Sequence, residues 1–141
     1  MNLYAESSAV LAWLLVEREG LRVDRLLNGA ESVISSDLTL IECDRTILRS
    51  AAIGRLSATE ASDRRRELSA LANAWSVLRI SPEIVERARR PFPSEPIRAL
   101  DAIHIASALV ARSAVPHLEM LTLDDRIRDA SRDLGFKLQP R

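Results

Sequence analysis

The sequence predicts an α/β domain with a central parallel sheet of about five short strands and helices on both faces. Short apolar runs of strand length alternate with longer segments that carry helix caps and helix periodicity. Glycine, proline, asparagine or serine stands at each junction between them. With 141 residues, 47% of them hydrophobic and 28% charged, the chain suits one soluble domain spanning residues 1–141 with a single α/β core. No internal repeat, low-complexity stretch or linker interrupts it.

Met1 to Ala5 reads as the first strand. Ser7 or Ser8 can then cap a helix running to about Glu17. A second short helix, Leu21 to Leu27, stops at Asn28-Gly29. Ser32 to Ser35 is a strand between turn residues, and Ser36 or Asp37 caps a helix that reaches Ala52 and stops at Gly54. Ser57 and Glu60 form a capping-box pattern that opens a long charged helix. Trp75 to Ile80 is the third strand. Ser81-Pro82-Glu83 begins another helix with proline in its first turn. Three prolines between Pro91 and Pro96 exclude regular structure there. Arg98 to Arg112 is an apolar helix containing Asp101 and His104. Met120 to Thr122 is the fourth strand, Asp124 or Asp125 caps a last amphipathic helix stopped by Gly135, and Phe136 to Leu138 is the fifth strand.

Several functions are excluded early. No apolar run approaches the ~20 residues a membrane span needs, so no membrane partner is expected. The N-terminus lacks a basic start and carries Glu6 before its apolar stretch, unlike a signal peptide. Cys43 is the only cysteine, so no intrachain disulfide is possible, which fits a cytoplasmic location. The formal net charge is zero, which argues against gripping nucleic acid by bulk charge. Of the 20 basic residues all but Lys137 are arginine, a bias that suits a GC-rich coding sequence as well as phosphate binding. No phosphate-binding glycine loop, dinucleotide fingerprint or nucleophile elbow occurs.

Four acids fall at or just after elements with apolar neighbours: Glu6 after the first strand, Glu42 in the helix after the second, Asp101 at the start of the apolar helix, and Asp124 after the fourth strand. In parallel sheets that region, beyond the carboxyl ends of the strands, is where ligands bind. Each acid has an ordinary alternative. Glu6 suits a helix first turn, Asp124 or Asp125 an N-cap, Glu42 an exposed helix face, and Asp101 a dipole acid or an ion pair with Arg98. Four carboxylates brought together would repel one another, and a divalent cation removes that cost. Oxygen-only ligands favour Mg²⁺ or Mn²⁺, which activate water and neutralise a scissile phosphate.

The segments E-S-S-A-V-L-A-W-L, S-S-D-L-T-L-I-E-C, I-R-A-L-D-A-I-H-I-A and L-T-L-D-D-R-I-R-D-A-S-R-D-L-G-F, in this order from Leu3 to Phe136, resemble the PIN-domain family and within it the VapC-like toxins. The resemblance implies a PIN-like three-layer sandwich and a Mg²⁺- or Mn²⁺-dependent endoribonuclease acting on RNA. It also implies a homodimer and a cognate antitoxin that wraps the enzyme. The family's metal acids map to Glu6, Glu42, Asp101 and Asp124. Ser7 and Thr122 match its small hydroxyl positions, and Asp125 is a helper at a variable one. Glu6 departs from the family's usual Asp. One extra methylene moves the carboxylate by about 1.5 Å and adds a rotor, which bears on metal affinity and activity; Ser7-Ser8-Ala9, kept beside it, favour an adjusted site over a dead one.

Other residues carry less. His104 reads as a packed residue orienting an acid or a backbone group, His117 as a solvated loop residue, Cys43 as core, and Trp13 and Trp75 as core or interface anchors. Arg64, Arg65 and Arg66 read as a solvated helix face, and Arg45 or Arg98 could steady phosphate at the rim. The rival functions are a PIN-like binding module that has lost catalysis through Glu6, and a nuclease for structured DNA, which would need a longer and more basic chain.

Overall fold

The computed structural model describes residues 1–141. Its elements follow in the order β1 (Asn2–Ala5), α1 (Ser7–Leu14), α2 (Gly20–Asn28), β2 (Ser32–Ser36), α3 (Asp37–Ala52), α4 (Ala58–Ala74), β3 (Ser76–Leu78), α5 (Pro82–Ala88), α6 (Ala99–Ala114), β4 (Glu119–Leu121), α7 (Asp125–Asp133) and β5 (Leu138–Gln139). The five strands form one parallel sheet in the order β3-β2-β1-β4-β5. The chain winds outward from β1 on one side, then crosses back to lay β4 on the other. The seam between β1 and β4 is therefore the topological switch point, where a crevice opens beyond the strand ends.

Strand alternation builds two cores, one on each face. Leu3, Ala5, Val33 and Leu121 face Ala9, Val10, Leu14, Val23, Cys43, Ile47, Ala61 and Leu68 of α1 to α4. Tyr4, Ile34 and Met120 face Ala102, Ile105, Ala108 and Ala111 of α6 and Ile127 and Ala130 of α7, with Phe92, Leu118 and Phe136 closing the layer. The result is helices, sheet, helices. No helix is long and apolar enough to cross a membrane.

The capping box of α4 forms in both directions between Ser57 and Glu60, and Pro82 sits in the first turn of α5. Several expected boundaries shift for local reasons. Helix α1 is capped by Glu6, not by Ser7 or Ser8, because the extended Glu6 backbone lets its carboxylate accept the Ser8 N–H. The same helix ends at Leu14 rather than Glu17. Val16 takes a left-handed φ of 53°, and Glu17 N–H donates back to Ala12 O at 2.9 Å, closing the helix end. Gly20 is required just beyond, since a Cβ there would lie 2.6 Å from Ala12 O. Ser36 holds the cap position of α3, but its hydroxyl makes no capping bond and is buried without a partner. Strand β3 keeps only Ser76–Leu78 of the expected Trp75 to Ile80, and β4 begins one residue early at Glu119. Phe136 does not open β5. Its N–H closes α7 on Ser131 O at 3.0 Å after Gly135 turns with φ 79°, and its ring enters the core.

Candidate active site

The carboxyl ends of β1 and β4 lie side by side, and Glu6 N–H donates to Leu121 O at 3.0 Å just past the last paired residues. Strand β1 therefore delivers Glu6, and β4 delivers Thr122, into the switch-point crevice. The Glu6 side chain is 4% exposed, so its charge is stabilised by protein donors rather than by water. Its Oε2 accepts from Ser8 N–H at 3.1 Å, from the Ser8 hydroxyl and from the Thr122 hydroxyl at 2.7 Å. Its Oε1 accepts only from the Ser7 hydroxyl, at 2.6 Å. One oxygen is saturated and the other retains a free lone pair.

That freer oxygen faces a second carboxylate. Ser7 Oγ also lies 3.0 Å from Glu42 Oε1, and Glu42 Oε1 is hydrogen-bonded to His104 Nε2. Ser7 has one proton and two carboxylate acceptors, so it serves one at a time and sits as a bridge between them. His104 Nε2 is 3.7 Å from Glu6 Oε1. One ligand atom each from Glu6, Glu42 and His104 falls within 4.8 Å of the others. Burial works to raise the Glu42 pKa, but the His104 hydrogen bond and charge, aided by Ser7, outweigh it and hold Glu42 below the ordinary carboxylate value. His104 is 1% exposed, and its Nδ1 has no partner.

Asp101 and Asp124 stand outside the close triad. Asp101 occupies the first turn of α6. Burial raises its pKa first, and the charges of Asp124 and Glu6 raise it further, against Arg98 and His104. Asp124 is the N-cap of α7, accepting Arg126 N–H at 2.9 Å and Ile127 N–H at 3.2 Å through one oxygen, Oδ1. Its ordinary reading as a cap is realised, and its other oxygen remains uncommitted by the cap. Asp125 is exposed on α7 and makes no bond to the cluster. Thus Glu6, Glu42, Ser7 and Thr122 are brought together with His104, while Asp101 and Asp124 flank them electrostatically.

Ser8 is the residue sequence reasoning underrated. Its hydroxyl donates to Glu6 and accepts from Leu123 N–H at 2.9 Å and Asp124 N–H at 3.2 Å. It ties the β1–α1 junction to the β4–α7 turn, so the two acids keep their spacing. The only signal in the sequence is its place beside Ser7. Around this centre, Cys43 is buried core, and burial pushes its thiol pKa up. Arg64, Arg65 and Arg66 pair with Glu67, Asp44 and Asp63 on solvated surface. Trp13 is part-buried against the α1–α2 core and donates to Asp24 at 2.8 Å.

The donor set suits a divalent cation. It joins one buried and one part-buried carboxylate of like charge, an oxygen of Glu6 that keeps a free lone pair, and Asp101, whose ionisation its acidic neighbours oppose.

Comparison with known proteins bears on the family and the fold. The PIN domain family model matches residues 3–133. The chain is 32% identical over 134 residues to ribonuclease VapC46 of Mycobacterium tuberculosis, covering 95% of this chain and 93% of that one. Among solved structures it resembles VapC20 of M. tuberculosis, described as a sarcin-ricin loop cleaving toxin, with a TM-score of 0.65 at 16% identity and 95% of each chain covered. It also resembles a toxin-antitoxin complex from Klebsiella pneumoniae, with a TM-score of 0.58 at 18% identity, covering 88% of this chain and 87% of that one. With a family match over most of its length, a third of its residues shared with a VapC, and the five-stranded parallel sheet, this chain belongs to the PIN domain family and is VapC-like within it.

Proposed function

We propose that the protein is a metal-dependent endoribonuclease, the toxin of a toxin–antitoxin pair, acting as one PIN-like domain that hydrolyses RNA phosphodiester bonds. The observation that carries this reading is the convergence of Glu6, Glu42 and His104 within 4.8 Å at the sheet's switch point, flanked by Asp101 and Asp124. The ribonuclease name of VapC46 supports the substrate class, and the Klebsiella complex supports an antitoxin partner.

Glu6 Oε1, Glu42, Asp101 and the free oxygen of Asp124 would hold Mg²⁺ or Mn²⁺. When bound, the ion supplies activated water and neutralises the charge that builds on a scissile phosphate. The chain's own groups do the rest. Ser7 bridges Glu6 and Glu42, and His104 aims Glu42 inward. Ser8 and Thr122 fix Glu6 and the Asp124 backbone, so the acids hold their spacing before any ion arrives. A homodimer is the expected assembly.

Mn²⁺ titration by calorimetry on wild type and Asp101→Asn, followed by cleavage of a single-stranded RNA, tests the reading. Binding that weakens at least ~10-fold in the variant, with cleavage abolished and the fold intact, is the expected result. Unchanged cleavage by Asp101→Asn removes Asp101 from the mechanism. A second reading, a binding module without catalysis, is favoured by one observation: Glu6 already spends one oxygen on protein donors. It predicts partner binding with no metal-dependent cleavage.

A further inference from the structure

Beside Asp101 lies a recess of about 400 Å³, formed where the proline-rich loop meets the start of α6 and the exposed side of α7. Its apolar floor is Ile97, Ile105 and Ala130, and Arg98 and Arg126 line it with Asp101. The volume is that of a small-molecule site, large enough for one nucleotide.

The charges in it are not equivalent. Asp129 is paired with Arg132 at 2.7 Å. Glu95 is turned onto its own loop, accepting Phe92 N–H at 3.0 Å and Ile97 N–H at 2.8 Å. Asp101 belongs with the other acids of the site. Arg98 and Arg126 are what remains: both are exposed, and neither forms a salt bridge or donates a side-chain hydrogen bond. Arg98 holds the N-cap position of α6, where its charge favours the ionised form of Asp101 without a salt bridge. Two guanidiniums outside any salt bridge, beside the part-exposed Ile97 and opening onto an acidic centre, match the polarity of a nucleotide, with its phosphate on the arginines and its base on Ile97. The other arginine proposed for phosphate, Arg45, lines a separate depression on α3 with Arg49.

We propose that this recess is a nucleotide-binding subsite that seats the RNA residue adjoining the scissile phosphate, with Arg98 and Arg126 as its phosphate clamp. The proposal rests on the ribonuclease reading of the acids. It assigns recognition to a surface that the acids do not provide, and explains how a chain of zero net charge grips an anionic substrate: locally, through two arginines, rather than by a global field.

The test is steady-state cleavage of a single-stranded RNA oligonucleotide in Mn²⁺, over a range of salt, by wild type, Arg98→Ala, Arg126→Ala, the double variant and Ile97→Ser, with calorimetric Mn²⁺ binding in parallel. Each arginine variant should raise KM about 10-fold and the double variant about 100-fold, the size of lost charge-assisted bonds. The salt dependence of log KM should flatten by about 0.7 per arginine removed. Mn²⁺ affinity should not weaken, since removing a cation near Asp101 cannot repel another. Ile97→Ser should alter which base is preferred beside the cut. Wild type that cleaves, with KM and salt slope unchanged in the double variant, overturns the subsite alone and leaves the recess to a protein partner. Wild type that binds Mn²⁺ but cleaves no RNA overturns the ribonuclease reading and the subsite with it.

Discussion

Replacing Ser8 with alanine removes one oxygen that holds three groups. Ser8 Oγ donates into the buried Glu6 carboxylate and accepts from the backbone N–H groups of Leu123 and Asp124. A hydrogen bond to a charged group contributes about 1.5–3 kcal/mol, and a buried N–H left bare costs about 1–3 kcal/mol. Asp124 N–H keeps a second acceptor, Thr122 Oγ1 at 3.2 Å, whereas Leu123 N–H has none. Glu6 retains three other donors, so its charge is not stranded. Taking the lower half of each range for a part-buried hydroxyl gives a loss of about 2.5–4 kcal/mol. That corresponds to a fall in Tm of roughly 8–14 °C for a domain of this size. Urea unfolding in EDTA measures it without the metal's own contribution. Ser7→Ala is the control: its single proton serves one carboxylate at a time, and it anchors no backbone, so its loss should be about half as large. A Ser8→Ala loss below about 0.5 kcal/mol, or one no larger than that of Ser7→Ala, would refute the claim that Ser8 joins the two halves of the site.

His104→Leu should weaken Mn²⁺ binding about 10-fold or more by freeing Glu42, and His104→Gln, which restores a donor, should recover part of it in the same titration. The raised pKa of Asp101 fixes a sign. Native Asp101 holds its proton above the ordinary Asp value of 3.8, so the metal-free protein loses stability as pH rises from there through the raised value, and urea midpoints should show that loss absent in Asp101→Asn. The lowered Glu42 pKa acts oppositely: its stabilisation is present above the usual 4.5 and lost as pH falls through the depressed value, which Glu42→Gln should abolish. Val16→Gly should stabilise by about 1 kcal/mol, since a β-branched residue occupies a left-handed position that suits glycine, with thermal denaturation as the readout.

The alternation of elements was legible because the strands carry short apolar runs and several helices carry their own punctuation, such as the Ser57–Glu60 capping box, Pro82, Gly54 and Gly135. Boundaries failed where the residue types do not announce the backbone turn or the packing that decides them. No glycine or asparagine marks the left-handed turn at Val16 that sends Glu17 N–H back to Ala12, and nothing local says that Phe136 will serve the core instead of β5. The acids were visible as misplaced charge in apolar company, yet their grouping was not. Glu42 and His104 are 62 residues apart, and only the packing of α6 under the sheet makes them partners. Arg126 was silent for the same reason. On a linear chain it is one more arginine of an amphipathic helix, and only the loop from Pro91 to Pro96, lying across α7, makes it line a recess with Arg98.

Glu6 joins the folding and the chemistry of this chain. An aspartate after β1 would hold its carboxylate closer to its own backbone, within reach of the helix cap. The longer glutamate still caps α1, through Oε2 on Ser8 N–H, while its extra methylene carries Oε1 out toward Glu42 and His104. The two oxygens are thereby divided. Oε2, with three donors, fixes the β1–α1 junction to Thr122, and Oε1, with one, stays available. Such a division lets the acid be rigid before a cation binds, which reduces the ordering cost of binding. It also makes Glu6 dependent on Ser8 and Thr122, because without them Oε2 would be a buried acceptor with too few donors. Glu6→Asp is then not a neutral change: it shortens the reach toward Glu42, and the hydroxyl pair that suits glutamate no longer meets the carboxylate at the same distance.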